Sequence, residues 1–543
     1  MHRFLLLAAA VLLGGCSSSR AGAPPPQDAS PETANLPSCR EAWAALPEDQ
    51  QAYDFARDAR LTPEGNLGYE GFDERLSRES CRKAWTVLIY MAADNQDMPP
   101  YAYWHLHGME AAFDDPSRSA ASSPDVDVLV QLDLNGPSGI RRLHMMRGPE
   151  PYGEDLDADD FRARTPADIR SPVVEKFEEE ATPPEESLRR FLDWGLTEYP
   201  AERTLVIVWG HGLGWRPADL PDNRYDPGLL RGGLAFDDTP GTVLDTPDLR
   251  GALAAVSRDR LDGRPIDVYA SDACLMQSLE VATELSDVSR YVVGSEQIED
   301  YLGFPYRTFL PALNGTAPAL PAPADCAGDE ACRVAAMLPV LQREAFLPGG
   351  LYADASPDAA QGFTLSAIST GVLTADVHPE MHELGAAIAA YLREDPQRSI
   401  ELEFLLDVPR GLSTDEGTPG FLGGARDVGV FLEGLRDVVE EEAERNGTDP
   451  SPAAAGLLEA IAQARTALDR ALVAEALGAE YDTPRHAGRM GASVWLPHDR
   501  QELLARLPFF APSRFYDAPE GLADSTWPDW LDLVFAPAPE ENE

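Results

Sequence analysis

The sequence predicts an α/β protein, a mostly parallel sheet flanked by helices, with insertions and a C-terminal α/β extension. The run 204–209 (TLVIVW) is apolar and rich in β-branched residues, as strands buried on both faces of a parallel sheet are, and 266–270 (IDVYA) is a second run of β-type sequence. Amphipathic stretches separate such runs. Leu188, Phe191, Leu192 and Leu196 share a helical face just before the 204–209 run, which gives βαβ order. Both runs also end in chemistry-bearing residues, Gly-His-Gly at 210–212 and Asp-Ala-Cys at 272–274. Open α/β sheets place their sites at that edge, outside the carboxyl ends of the strands.

The stretch IDVYASDACLM (266–276) reads as a strand, a tight turn and a helix beginning at Cys274, with Leu275, Leu279 and Ala282 at helical spacing. A thiol at a helix entrance is more easily ionised, and the thiolate is the nucleophile. Alone, Cys274 reads equally as a small buried hydrophobe. The imidazole of His211, leaving the preceding strand at the same sheet edge, adds a general base and completes the minimal set for covalent acyl transfer.

With these residues the chain resembles the clostripain-like (C11) cysteine peptidases of the caspase–legumain–gingipain clan. WTVLIYMAADNQDM (85–98), VDVLVQLD (126–133), SRYVVGSEQIEDYLGFPY (289–306) and GASVWLP (491–497) are similar to that family's segments, in its order. The resemblance implies a caspase-like peptidase domain over 83–535. It implies a Cys274 nucleophile, a His211 proton donor, and an oxyanion hole made by the backbone N–H groups of Gly212 and Cys274. Asp272 resembles the family's specificity acid, selecting Arg or Lys at P1, with Glu296, Glu299 or Asp300 as a second carboxylate. Self-cleavage within 215–250 is implied, after Arg224 or Arg231. Calcium is implied as an activator, and no cofactor is required for the chemistry.

The first sixteen residues read as an export signal. A basic start, a Phe4–Leu13 apolar run and Leu13-Gly14-Gly15-Cys16 resemble a lipoprotein processing site, with Cys16 lipidated. Ser17 rather than Asp follows, which favours an outer-membrane or surface lipoprotein attached to the membrane by lipid alone. Residues 17–38, rich in Ser, Ala and Pro, form a tether. Residues 39–82 are a charged lead-in, and 536–543 are an acidic tail. Of six cysteines, Cys39 with Cys81 and Cys326 with Cys332 are candidate disulfides in an oxidising compartment, leaving Cys274 free. No Cys-x-x-Cys metal spacing occurs.

The length suggests three or four domains. No long linker follows residue 83, however, so one enlarged domain is expected. A formal charge of −48 argues against nucleic acid as a partner, suits a secreted protein that stays soluble, and would attract basic peptides and divalent cations. A monomer is expected. Residues 85–92, 126–133, 291–294, 362–370 and 491–497 read as further strands. Residues 375–393, 427–443, 453–478 and 525–535 read as helices, and 148–182 and 310–360 as insertions. His105 and His107, two apart, make a poor metal pair, and His378 and His382 read as helix-surface residues. The competing functions are a catalytically silent surface lipoprotein that binds peptides or a partner, and a peptidase of the same clan with non-basic P1 preference.

Overall fold

The computed structural model describes residues 36–47, 59–61, 67–69, 81–114, 118–135, 139–148, 152–153, 158–178, 182–215, 233–315, 326–353, 362–407, 425–479, 488–497, 499–501, 503–504, 513–519 and 527–535. Residues 37–543 form one compact unit.

A nine-stranded sheet organises this unit. In chain order its strands are β1 (Lys83–Ala93), β2 (Val126–Leu134), β3 (Gly139–His144), β4 (Val173–Phe177), β5 (Ala201–Trp209), β6 (Ile266–Asp272), β7 (Ser289–Gly294), β8 (Thr364–Ser369) and β9 (Leu472–Leu477). Their spatial order is β9-β8-β7-β6-β5-β1-β2-β3-β4. The five strands from β7 to β2 run parallel, and the two strands beyond them on each side are joined on by antiparallel pairings. The parallel centre has both faces covered, which explains its unbroken apolar runs. Leu205, Val206, Ile207 and Val208 of β5 have no exposed surface. Burying each such side chain contributes about 1.5–3 kcal/mol.

Alternation along the strands divides the core in two. Leu88, Val206 and Val208 face one layer with α2 (Pro184–Glu198) and α3 (Thr246–Arg260). Val87, Ile89, Leu205 and Ile207 face the other, with α1 (Pro99–Glu110) and α5 (Glu330–Phe346). The short α4 (Leu279–Glu284) joins the first layer. So do α6 (His378–Glu394), α7 (Val428–Asn446) and α8 (Pro452–Ala471). None of the helices among the described residues is long and apolar enough to cross a membrane.

Several sequence expectations change. Residues 148–182, read as an insertion loop, contain edge strand β4, and 310–360 contain the seventeen-residue α5. The helix expected to run to 478 stops at Ala471, and Leu472–Leu477 pairs with β8 as an edge strand. His382 is fully buried rather than on a helix surface; its Nε2 and that of His378 both meet the Phe515 carbonyl at 3.0 Å. Cys39–Cys81 and Cys326–Cys332 are disulfide-bonded, and Cys274 is free. The first bond ties the lead-in to the start of β1, where Cys39 N–H also donates to Arg82 O at 2.8 Å. Cys16, Arg224 and Arg231 lie outside the described residues.

Candidate active site

Strands β5 and β6 are hydrogen-bonded neighbours with Trp209 in register with Asp272. Counting two residues on along each strand brings the chain to His211 and to Cys274. The loops that carry them touch. A Cβ placed on Gly212 would lie 2.3 Å from the Cys274 carbonyl oxygen and 3.2 Å from its nitrogen, so glycine is what permits this approach. Both side chains line one cleft of about 680 Å3. Its walls come from the loops after β1 (Asn95–Met98), β5, β6 and β7 (Ile298–Tyr301 and Gly303).

The Cys274 loop differs from the expected helix entrance. Leu275 has φ +64°, a left-handed conformation that costs a branched residue energy and ends any helix there. The chain then makes a turn in which Leu275 N–H donates to Gln297 O and Gln277 N–H to Ser295 O. Helix α4 begins only at Leu279, capped by Ser278, whose hydroxyl accepts Val281 N–H. It is six residues long and too distant to ionise the thiol by its dipole. Burial pushes Cys274 up to about 12, and the negative charges of Glu299 and Asp272 push the same way. The thiol donates to Glu299 O at 3.6 Å while its sulfur accepts Glu299 N–H at 3.2 Å. This setting favours the thiol over the thiolate, although the side chain is only part-buried at the cleft wall.

His211, the base expected from the sequence, has a partner that sequence reasoning missed. His211 Nε2 donates to Asp97 Oδ1 at 3.1 Å, and the Tyr301 hydroxyl donates to Asp97 Oδ2 at 2.8 Å. Burial works to raise the Asp97 carboxyl, but these two bonds and the imidazole's charge hold it below its ordinary value. Asp97 lies 114 residues before His211, in the segment DNQDM that already suggested the family. A carboxylate ending a parallel strand beside the histidine's strand was the available signal.

Of the four carboxylates expected at the specificity pocket, three line the cleft: Asp272, Glu299 and Asp300. Glu296 does not. It is fully buried, ion-paired at 2.7 Å with Arg489 Nη2, and serves to tie the β7 loop to the C-terminal segment. Asp272 is also buried, its Oδ1 accepting Phe304 N–H at 3.0 Å and its Oδ2 the Tyr306 hydroxyl at 2.6 Å. Gly303, at φ +54°, lets the loop fold over it; a Cβ there would sit 2.6 Å from Oδ1. Burial lifts Asp272 to about 7 against these two bonds, and lifts Glu299 well above its ordinary value with help from the charges of Asp272 and Asp300. Glu299 Oε2 is buried without a hydrogen-bond partner. Asp300 Oδ1 accepts Leu302 N–H at 2.9 Å.

For calcium, no group of three or more His, Cys, Asp or Glu side chains among the described residues converges as a metal site.

Residues 89–329 match the model of the clostripain family. Among solved structures, the chain is similar to an inactive zymogen C11 protease from Parabacteroides distasonis, at 19% identity and TM-score 0.48, over 80% of this chain and 98% of that one. It is also similar to a secreted C11 cysteine protease from Bacteroides thetaiotaomicron in complex with an irreversible peptide inhibitor, at 17% identity and TM-score 0.48, over 81% and 99%. No curated protein sequence matches the chain.

Proposed function

We propose, from the match of residues 89–329 to the model of the clostripain family, that this chain is a cysteine endopeptidase that cleaves after Arg or Lys through Cys274 and His211. The observation that carries the reading is the contact of the Gly212 and Cys274 loops at the ends of adjacent parallel strands, with both side chains in one cleft.

In this mechanism the scissile carbonyl enters above the sulfur. His211 takes the thiol proton as Sγ attacks the carbon, and the Gly212 and Cys274 N–H groups receive the oxyanion, a contribution of several kcal/mol in such sites. Collapse of the tetrahedral species breaks the C–N bond, with His211 giving the proton to the departing amine. Water then attacks the thioester, returning the proton to sulfur through His211 and releasing the new carboxyl group.

The basic P1 preference draws support from the cleft floor. The oxygens of Asp272 already hold two donors, whereas Glu299 offers an unpartnered buried oxygen beside it. Two buried carboxyls, of which Glu299 is raised by burial and by the charges of Asp272 and Asp300, are relieved by a guanidinium or ammonium between them, which a neutral side chain does not provide. Within the same proposal the chain is exported and lipid-anchored at Cys16, acts as a monomer on peptide or protein substrates, and is processed after Arg224 or Arg231.

A peptide library incubated with the wild-type chain and with Cys274→Ala tests the reading. Cleavage after Arg and Lys only in the wild type is expected, with Glu299→Gln losing that preference. Cleavage persisting in Cys274→Ala refutes the mechanism, and cleavage after acidic or apolar residues refutes the specificity alone.

A further inference from the structure

We propose that Asp97 is the positioning residue of this centre, fixing His211 in the tautomer that leaves its Nδ1 lone pair open to the Cys274 thiol. Its catalytic consequence rests on the peptidase reading above, while its chemistry can be tested apart from it.

The geometry is over-determined. Asp97 Oδ1 takes His211 Nε2–H, and Oδ2 takes the Tyr301 hydroxyl. The Tyr301 ring meets the imidazole edge-on at 6.2 Å between centroids and stacks on Tyr101 at 4.6 Å. The carboxylate is therefore held by donors from the β5 and β7 loops while standing on the β1 loop. Such a carboxylate cannot turn without losing a charge-assisted bond. Burial and the Asp97 charge raise the Tyr301 phenol above its ordinary value, so it remains a donor throughout the working pH range.

With Nε2–H committed to Asp97, Nδ1 is the nitrogen left to react. In the activating step the Sγ–H bond breaks, its electron pair stays on sulfur, and the proton bonds to Nδ1. The Nε2 proton stays on its nitrogen, shared with Asp97. The thiol lies far above neutrality, so this transfer needs stabilisation of the imidazolium it creates, which the adjacent carboxylate supplies. The titratable groups facing His211 are Asp97 on the β1 loop, Cys274 on the β6 loop, Tyr301 on the β7 loop, and Asp238 on the turn after the strand Leu234–Asp237. Asp97 is the one that holds a ring nitrogen.

The test uses the full chain and two readouts: the rate at which iodoacetamide alkylates Cys274 from pH 5 to 9, followed by peptide mass mapping, and turnover of an arginyl peptide. Asp97→Asn is expected to slow alkylation at pH 7 by about 10–100-fold, the worth of one charge-assisted hydrogen bond. The acid limb of the rate is expected to move to lower pH, and kcat to fall with KM unchanged. Asp97→Glu is expected to restore part of the rate, and Tyr301→Phe to show a smaller loss in the same direction. Asp97 is half-exposed, so all three variants are expected to melt with the wild type. An Asp97→Asn chain that alkylates and turns over at the wild-type rate, with an unshifted acid limb, overturns the inference and leaves the peptidase reading intact. Alkylation that depends on Asp97 in a chain that cleaves no peptide supports it and removes that reading instead.

Discussion

Replacing Gly212 by alanine probes the contact on which the site is built. The added methyl group falls 2.3 Å from the Cys274 carbonyl oxygen and 3.1 Å from the Ala273 Cβ. Both neighbours are short and fixed, so the β5 and β6 loops must separate by roughly 1 Å, a displacement that costs on the order of 100-fold in rate when it falls between reacting groups. Overpacking of this kind destabilises by about 1–3 kcal/mol, which a protein of this size survives. The assay is kcat/KM on a fluorogenic arginyl peptide, paired with a thermal melt. Gly251→Ala is the control: it lies in α3 with nothing within 4 Å of its Cβ position, and alanine there gains about 0.5–1 kcal/mol from helix propensity. We expect Gly212→Ala to lose activity with a modest drop in melting temperature, and Gly251→Ala to keep full activity. Activity of Gly212→Ala within twofold of wild type would refute the idea that the two loops touch in the working enzyme.

The buried carboxyls, the buried ion pair and the disulfide each carry a measurable consequence. Asp272 and Glu299 are acids raised above their unfolded values, so their contribution to stability is full below the ordinary carboxyl range and is lost as pH rises through about 7 for Asp272. Melting temperature should therefore fall from pH 5 to 8, and Asp272→Asn should flatten that fall. Binding of an arginyl ligand near pH 7 should release protons, read by calorimetry in buffers of different ionisation enthalpy; parallel melting curves or no release would contradict the assignment. Arg489→Met leaves the fully buried Glu296 without its ion-pair partner and should cost about 3–5 kcal/mol, partly recovered by adding Glu296→Gln, as thermal denaturation would show. Removing Cys39–Cys81 with a double alanine variant opens a link spanning 42 residues and should cost about 3–4 kcal/mol. An unchanged melt in either case would place the stabilisation elsewhere.

The parallel centre of the sheet was legible because strand segments covered on both faces are apolar in unbroken runs, as Leu205–Trp209 of β5 and Val268–Ala270 of β6 are. The site edge was legible for the same reason, since polar residues ending such runs are conspicuous. The start of α4 was not. LMQSLEVATEL has helical spacing from Leu275, but Gln277 is drawn away, its Nε2 donating to Ser366 at 3.0 Å, and Ser278 is the better cap. Periodicity reports which residues face the core, not where the backbone turns left-handed. Glu296 and Glu299 were indistinguishable in an acidic loop because what separates them is Arg489, almost two hundred residues away in sequence. Asp97 was overlooked for a related reason: its role exists only once β1 and β5 lie side by side. Edge strands β4 and β9 lack a continuous apolar run, since their side chains are mostly half-exposed or exposed.

The most direct measurement is to treat the chain with an arginyl chloromethyl ketone and locate the adduct by mass spectrometry. The account predicts one adduct, on Cys274, blocked by excess arginyl peptide and abolished in His211→Ala. An adduct on another residue, or full labelling of Cys274 in the absence of the imidazole, would contradict it.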